Sequence, residues 1–321
     1  MSSRDRYRGA DGRARSAART SLGSMTATGH GRSARVGEAT DRRGGQIPCV
    51  LSIAGSDSGG GAGIQADLKA FAACGVHGTT AITAITAQNT REVSAVEPVS
   101  PEMIIAQVRA VARDIGIDAV KIGMLGTVAT IEAVAFTLRE LPGHIPVVLD
   151  PVMVSESGGQ LLEPDARLLL SEALLWRVTV VTPNVPEARA LLEVAGTPAA
   201  GTPTPATEDS RSEWAEMVDL VHGIHALGPQ AVVVTGGHRR VVTDVFYDGL
   251  LLAPIEGERY AAGAAHGSGC THSSVLAARL AWGDTPYEAA IVAKRRASEA
   301  VRDGLTSVGA GAGPVNILGV T

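Results

Sequence analysis

The chain has 321 residues, 45% hydrophobic and 19% charged, with a net charge of -5; it can fill a large core and carries no global electrostatic signal for nucleic acid. Its aromatic content of 3% is too low for a base-stacking platform, and three cysteines without a C-x-x-C pair exclude a disulfide framework and a cysteine-rich zinc site. A reducing cytoplasm is expected, and the longest uncharged stretch, 70–90, holds Gly75, His77, Gly78 and five Thr, so it does not read as a membrane span.

Residues 1–46 carry ten Arg against four acidic residues, a net +6 that leaves -11 for residues 47–321. With Gly, Ser, Ala and Thr between the charges and no apolar period, this segment reads as a disordered N-terminal extension. It lacks the amphipathic face of a transit peptide and the apolar core of a secretion signal. An upstream start, with Met25 as a later one, and a basic arm for nucleic acid or a lipid surface are the alternatives.

From residue 47 one domain is expected to run to 321, with short β-rich runs alternating with helical periods. Strands are predicted at 47–53, 79–86, 119–122, 145–149, 178–182 and 231–235. Helices are predicted at 64–74, 101–115, 128–141, 164–175, 185–195 and 213–227, with Ser100 and Thr127 as starts for the second and third. This alternation predicts an α/β fold, a mostly parallel central sheet with helices on both faces. The Pro-, Gly- and Thr-rich stretch 196–212 reads as a surface loop inside that domain, because the pattern resumes after it. The pattern ends near 236, where 242–248 and 250–254 read as an antiparallel hairpin around Asp248-Gly249, followed by helices at 269–282 and 286–303.

Three motifs carry chemistry. The first βα turn, AGSDSGGGAGIQADLKAF (54–71), brings backbone amides and a helix N-terminus to one place, with Asp57 and Asp67 beside it. No Lys follows Gly60 or Gly61, so it is not a Walker A loop; a dinucleotide fingerprint is only partly matched, and a purely structural tight turn is the plain alternative. The second motif, AHGSGCTHSSVLAARL (265–280), puts Gly267, Ser268 and Gly269 at a helix entry as an anion-binding nest. Cys270 sits in the first turn, where the helix N-terminus is expected to favour the thiolate; the alternative is a small buried hydrophobe. His266 and His272 have no spacing or acid pair that suggests a metal. The third set, Asp150, Asn184, Glu187 and Gly236-Gly237, lies at the carboxyl ends of predicted strands, where hard oxygen ligands suit Mg²⁺ with phosphates; helix capping is the alternative for Asp150 and Asn184.

Together these stretches resemble the ribokinase-like superfamily, and within it the hydroxymethylpyrimidine/phosphomethylpyrimidine kinases of thiamine biosynthesis. The resemblance rests on AGSDSGGGAGIQADLK (54–69), ITAITAQNT (82–90), KIGML (121–125), LDPVMVSESG (149–158), TPNVPEA (182–188), GGH (236–238), HGSGCT (266–271) and GAGAGPVN (309–316), in family order. It implies a three-layer α/β/α fold and an ATP-dependent, Mg²⁺-assisted kinase of a small pyrimidine alcohol and then its monophosphate. It also implies a homodimer, while charge, aromatic content and the lack of a membrane-span pattern point to neither a nucleic-acid nor a membrane partner. Gly55, Asp67, Gln88, Met124 and Val152 correspond to the pyrimidine pocket, and Gly267, Ser268 and Gly269 to the anion hole. Cys270 corresponds to the catalytic position that sugar-kinase relatives fill with Asp. Asp150, Asn184, Glu187, Thr235 and Gly237 fall on the Mg²⁺–ATP side, with Asp150 and Glu187 as metal residues, directly or through water.

Two positions depart from the pattern: Thr235 stands where many relatives carry Lys, and Ser268 replaces a common Thr. A pyridoxal-type vitamin kinase and a non-catalytic pyrimidine-binding regulator are the competing functions.

Overall fold

The computed structural model describes residues 46–154, 158, 161–196, 210–236, 242–260 and 263–321, without the side chains of 210–212. The expected extension and the loop at 196–212 lie almost wholly outside these residues, as does Gly237.

Among the described residues, β1 (Cys49–Ala54), β2 (His77–Ile82), β5 (Ala119–Ile122), β6 (Val147–Leu149), β7 (Val180–Val181), β8 (Ala231–Val234), β9 (Thr243–Tyr247) and β10 (Leu252–Glu256) form one sheet. Its order is β10-β9-β8-β7-β6-β5-β1-β2. The six strands from β8 to β2 are parallel, and β9 and β10 run antiparallel, as the hairpin reading expected. Asp248 Oδ1 accepts from the Leu250 and Leu251 amides, which lengthens the hairpin turn and starts the return strand two residues later than predicted.

Each central strand reads as a continuous apolar run, but period-two geometry sorts it to two cores. Leu51, Val147 and Val232 face the core made with α2 (Pro101–Asp114), α3 (Val128–Glu140), α4 (Pro164–Leu174), α5 (Val185–Val194) and α6 (Ser210–His225). Val50, Val148 and Val233 face the other, made with α1 (Gly63–Ala73), α7 (Ser268–Ala281) and α8 (Pro286–Arg302). This is the three-layer α/β/α architecture. Ser100 and Thr127 cap α2 and α3 as expected, accepting from the Met103 and Thr130 amides. Helix α6 begins at Ser210, three residues before its predicted start. No helix among the described residues is long and apolar enough to cross a membrane.

One element was misread. The strand predicted at 79–86 is two strands, because buried Thr83 turns the chain at the sheet end, donating its amide to Ala54 O and its hydroxyl to Met124 O at 2.7 Å. Beyond it, β3 (Ala84–Gln88) leaves the main sheet and pairs antiparallel with β4 (Val93–Pro98) in a two-stranded ribbon. Strand β4 is exposed along most of its length and contains Glu97, so it carries little of the apolar alternation that marks a strand in sequence.

The sheet order puts the site in place. The chain moves from β1 outward to β2 and later returns to the opposite side of β1 with β5. Connections leaving in opposite directions open a crevice at the carboxyl ends of β1 and β5, where ligands bind in open α/β sheets.

Candidate active site

The Gly-rich turn after β1 is organised by Asp57. Its carboxylate accepts from the Gly59, Gly61 and Ala62 amides at 2.8, 3.0 and 2.8 Å and lies 3.1 Å from His266 Nε2. Burial pushes the Asp57 pKa up, but the hydrogen bonds from His266, Ala62 and Gly59 outweigh it and hold the group below the ordinary carboxylate range. Asp57 therefore shapes the loop, with its oxygens already occupied.

The second Gly-rich segment packs directly on the first. Gly267 is the N-cap of α7 at φ 82°, and a Cβ there would lie 1.8 Å from Gly61 O, so both backbones can meet only if residue 267 is glycine. No side chain caps α7. The Ser268 amide donates to Ala265 O, and Gly269 and Cys270 supply the next amides of the first turn, beside the cavity that all four residues from Gly267 line. A Cβ at Gly269 would meet nothing within 4 Å, which leaves room for a ligand beside these amides.

Beneath α7 lies a buried charged layer. Lys121 Nζ donates to Asp67 Oδ1 at 2.8 Å, and both side chains are 0% exposed. Asp67 also accepts from Ser52 Oγ at 2.6 Å and Ser274 Oγ at 2.7 Å. Burial alone would depress the Lys121 pKa; Asp67, Cys270 and Asp150 more than reverse this and hold it above the usual lysine value. Asp67 is thus the counter-ion of Lys121 and does not line the cavity, a correction to its expected place in a pyrimidine pocket.

Cys270 corrects a second expectation. Burial pushes its thiol up to about 12, Asp150 and Asp67 add to the rise, and Lys121 and the Gly63 amide oppose it. The helix N-terminus is outweighed, and the resting side chain is a thiol.

Asp150, after β6, accepts from Ser273 Oγ at 3.0 Å, and its pKa is raised by burial. Asn184 and Glu187 form a capping box at the start of α5: Asn184 Oδ1 accepts from the Glu187 amide and Glu187 Oε2 from the Asn184 amide, both at 2.9 Å. The capping alternative therefore holds for Asn184. Glu187 does more, since burial and the Asp150 carboxylate beside it raise its pKa to about 8. A buried carboxyl group, Asp150, and a half-buried one, Glu187, that repel one another are a donor set that fits a hard divalent cation.

One cavity of about 420 Å³ joins these parts. Gly55, Gln88, Met124 and Val152 line it beside β1 and β3; Gly267, Ser268, Gly269 and Cys270 line it at α7; Asp150, Asn184, Glu187 and Thr235 line it at the ends of β6, β7 and β8. Five side chains that line the cavity have no role that the sequence pattern assigns. Lys121 lay unremarked inside the KIGML motif, although a lysine in the apolar strand Ala119–Ile122 is itself a signal. His266 meets Asp57 across 209 residues, and Asp244, His272 and Lys294 cluster from β9, α7 and α8; no local spacing marks either group.

A parallel sheet with its crevice at a switch point, closed by a capless helix and a pair of carboxyl groups, defines a kinase of the ribokinase-like class. The chain belongs to the phosphomethylpyrimidine kinase family, whose model matches residues 57–316. It is 47% identical over 271 residues to a hydroxymethylpyrimidine/phosphomethylpyrimidine kinase of Rhizobium meliloti, covering 83% of this chain and 96% of that one. A thiamine biosynthesis bifunctional protein of Geobacter sulfurreducens is 40% identical over 269 residues, 83% of this chain and 51% of that protein. Among solved structures, a pyridoxal kinase of Staphylococcus aureus in complex with AMP-PCP matches with a TM-score of 0.73 at 32% identity, covering 85% of this chain and 94% of that one.

The raised thiol has a direct test. Iodoacetamide at about pH 8 is expected to alkylate Cys270 at least about a hundredfold more slowly than free cysteine, followed by peptide mass spectrometry. Alkylation at the free-cysteine rate would mean that the thiolate dominates after all.

Proposed function

We propose that the chain transfers the γ-phosphoryl group of ATP to the hydroxymethyl group of 4-amino-5-hydroxymethyl-2-methylpyrimidine, and then to the resulting monophosphate, in thiamine biosynthesis. The observation that carries this reading is the single cavity running from Gln88 and Met124, past the α7 N-terminus, to Asp150 and Glu187. Such a cavity holds an acceptor, a transferred group and a phosphate-bound cation in line.

In this reading Gly55, Gln88, Met124 and Val152 orient the pyrimidine, and the Gly269 and Cys270 amides meet the transferred phosphoryl oxygens with the positive end of α7 behind them. Lys121 adds buried positive charge below. Asp150 and Glu187 would hold Mg²⁺, which supplies charge neutralisation on the phosphate oxygens when bound. Cys270 accepts the alcohol proton late in the transfer, in the minority thiolate form that Lys121 and the Gly63 amide favour. Because deprotonation creates that form, kcat rises with pH across the neutral range.

Likeness to a pyridoxal kinase supports a second reading, phosphorylation of a pyridoxal-type alcohol by the same machinery. Turnover of the two alcohols side by side with Mg-ATP, with products read by mass spectrometry, separates the two. Mono- and diphosphorylated pyrimidine are expected; phosphate on pyridoxal alone favours the second reading. Cys270→Ala is expected to lower kcat by about 10²–10⁴-fold while pyrimidine affinity stays within about two-fold. Near-normal kcat would reduce Cys270 to a packing residue.

We also propose a cytoplasmic homodimer whose catalytic domain is 47–321, with 1–46 as a dispensable extension. A protein beginning at Gln46 is then expected to melt at the temperature of the full chain and turn over equally fast. A drop of several degrees would show that the extension docks on the domain.

A further inference from the structure

The β8–β9 side of the cavity holds a polar group that phosphoryl transfer does not use. Asp244 on β9 is fully buried, and its Oδ1 accepts from the Gly236 amide at 2.9 Å and from Lys294 Nζ at 2.6 Å. Its Oδ2 has no hydrogen-bond partner among the described residues. His272 on α7 faces that oxygen with Nε2 at 3.7 Å, too far for a direct hydrogen bond. Neither ring nitrogen of His272 has a partner among the described residues, although the side chain is only 6% exposed. Asp244, His272 and Lys294 all line the cavity.

Burial lowers the His272 pKa to about 4, Asp244 opposing and Lys294 adding to the shift, so the ring is a neutral imidazole with one donor and one acceptor nitrogen. The carboxylate oxygen only accepts. With the Nε2–H tautomer, the one a neighbouring carboxylate favours, a group placed between them donates to Asp244 and accepts from the imidazole N–H. A hydroxyl does both. A phosphate oxygen would face the Asp244 charge without a proton to give, and an exocyclic amine has no good lone pair to offer the ring.

Asp244 holds the Gly236 amide, one residue beyond Thr235, so the pair adjoins the nucleotide side of the cavity, with His272 two residues beyond Cys270 on α7. The ligand that brings hydroxyls here is a nucleoside triphosphate, through its ribose. We propose that Asp244 and His272 read a ribose hydroxyl of the phosphoryl donor, which makes His272 a specificity-determining residue for ribonucleotides over deoxyribonucleotides. Lys294, paired with the other carboxylate oxygen, holds Asp244 in place as the acceptor. This inference rests on the ATP-dependent reading above.

The test compares kcat/KM for ATP, 2′-deoxy-ATP and 3′-deoxy-ATP in the wild type, His272→Leu and His272→Gln. Thermal unfolding of each protein, and calorimetric affinity for ADP and its deoxy forms, are measured alongside. The wild type is expected to prefer ATP to at least one deoxy form by about ten-fold, because the analogue leaves buried groups unpaired. In His272→Leu, kcat/KM for ATP falls by about ten-fold and the preference shrinks to about two-fold, while His272→Gln, which keeps a donor and an acceptor, recovers part of it. Equal use of all three nucleotides by the wild type, or an undiminished preference in a folded His272→Leu, overturns the inference; a water bridging the pair would then suffice. If no nucleotide is turned over, the kinase reading fails, and calorimetry with ADP and deoxy-ADP still decides the hydroxyl contact by the same criterion.

Discussion

A lysine without solvent exposure, Lys121, holds the centre of this protein together. Its ammonium pairs with Asp67, and Asp67 takes two further hydrogen bonds, from Ser52 on β1 and Ser274 on α7. One ion pair therefore ties α1, β1, β5 and α7, the four elements that frame the crevice. An isolated charge in that position would cost several kcal/mol, so neither partner is tolerable alone. The same ammonium is the positive charge that Cys270 and Asp150 sense, which links the stability of the layer to the electrostatics of the surface above it.

Above that layer, backbone geometry brings the two Gly-rich segments of the cavity together. Gly267 and Gly61 meet at a distance that admits no Cβ, and the contact delivers the capless α7 N-terminus next to the turn after β1. Asp57 fixes one side of the contact through three amides and His266. Raised pKa values at Cys270 and Glu187 follow from the same arrangement: acidic groups are gathered in a desolvated place, around one lysine and a helix end. A substrate phosphate with a divalent cation is the kind of ligand that relieves such crowding.

Much of this was legible in sequence because parallel α/β folds write their layers locally. Apolar runs such as Ala231–Val234 mark buried strands, and Ser100 and Thr127 mark helix starts at the residues that cap them. The ribbon of β3 and β4 was not legible, since its second strand is exposed and its first merges with β2 across Thr83. In the site, the Gly-rich segments and strand-end carboxyl groups announced themselves by position, and the structure gathers them around one cavity. The partner of Asp67 and the state of the Cys270 thiol were not legible: local spacing showed a carboxylate near a turn and a thiol at a helix end, but neither the buried lysine that pairs with the one nor the burial that keeps the other protonated. The pairing of Asp244 with His272 and Lys294 depends on contacts between β9, α7 and α8 that no motif encodes.

In the kinase reading the buried Lys121 charge serves the chemistry as well as the fold. A double substitution, Lys121→Met with Asp67→Leu, removes both charges while keeping apolar volume, and such replacements of a buried pair are often neutral or stabilising. Its melting temperature and kcat, set against both single variants, separate the two roles. The double variant is expected to regain most of the stability lost in either single one, while kcat stays about a hundredfold or more below the wild type for want of the cation beneath Cys270. Recovery of kcat together with stability would contradict that role and leave the ion pair a purely structural tie.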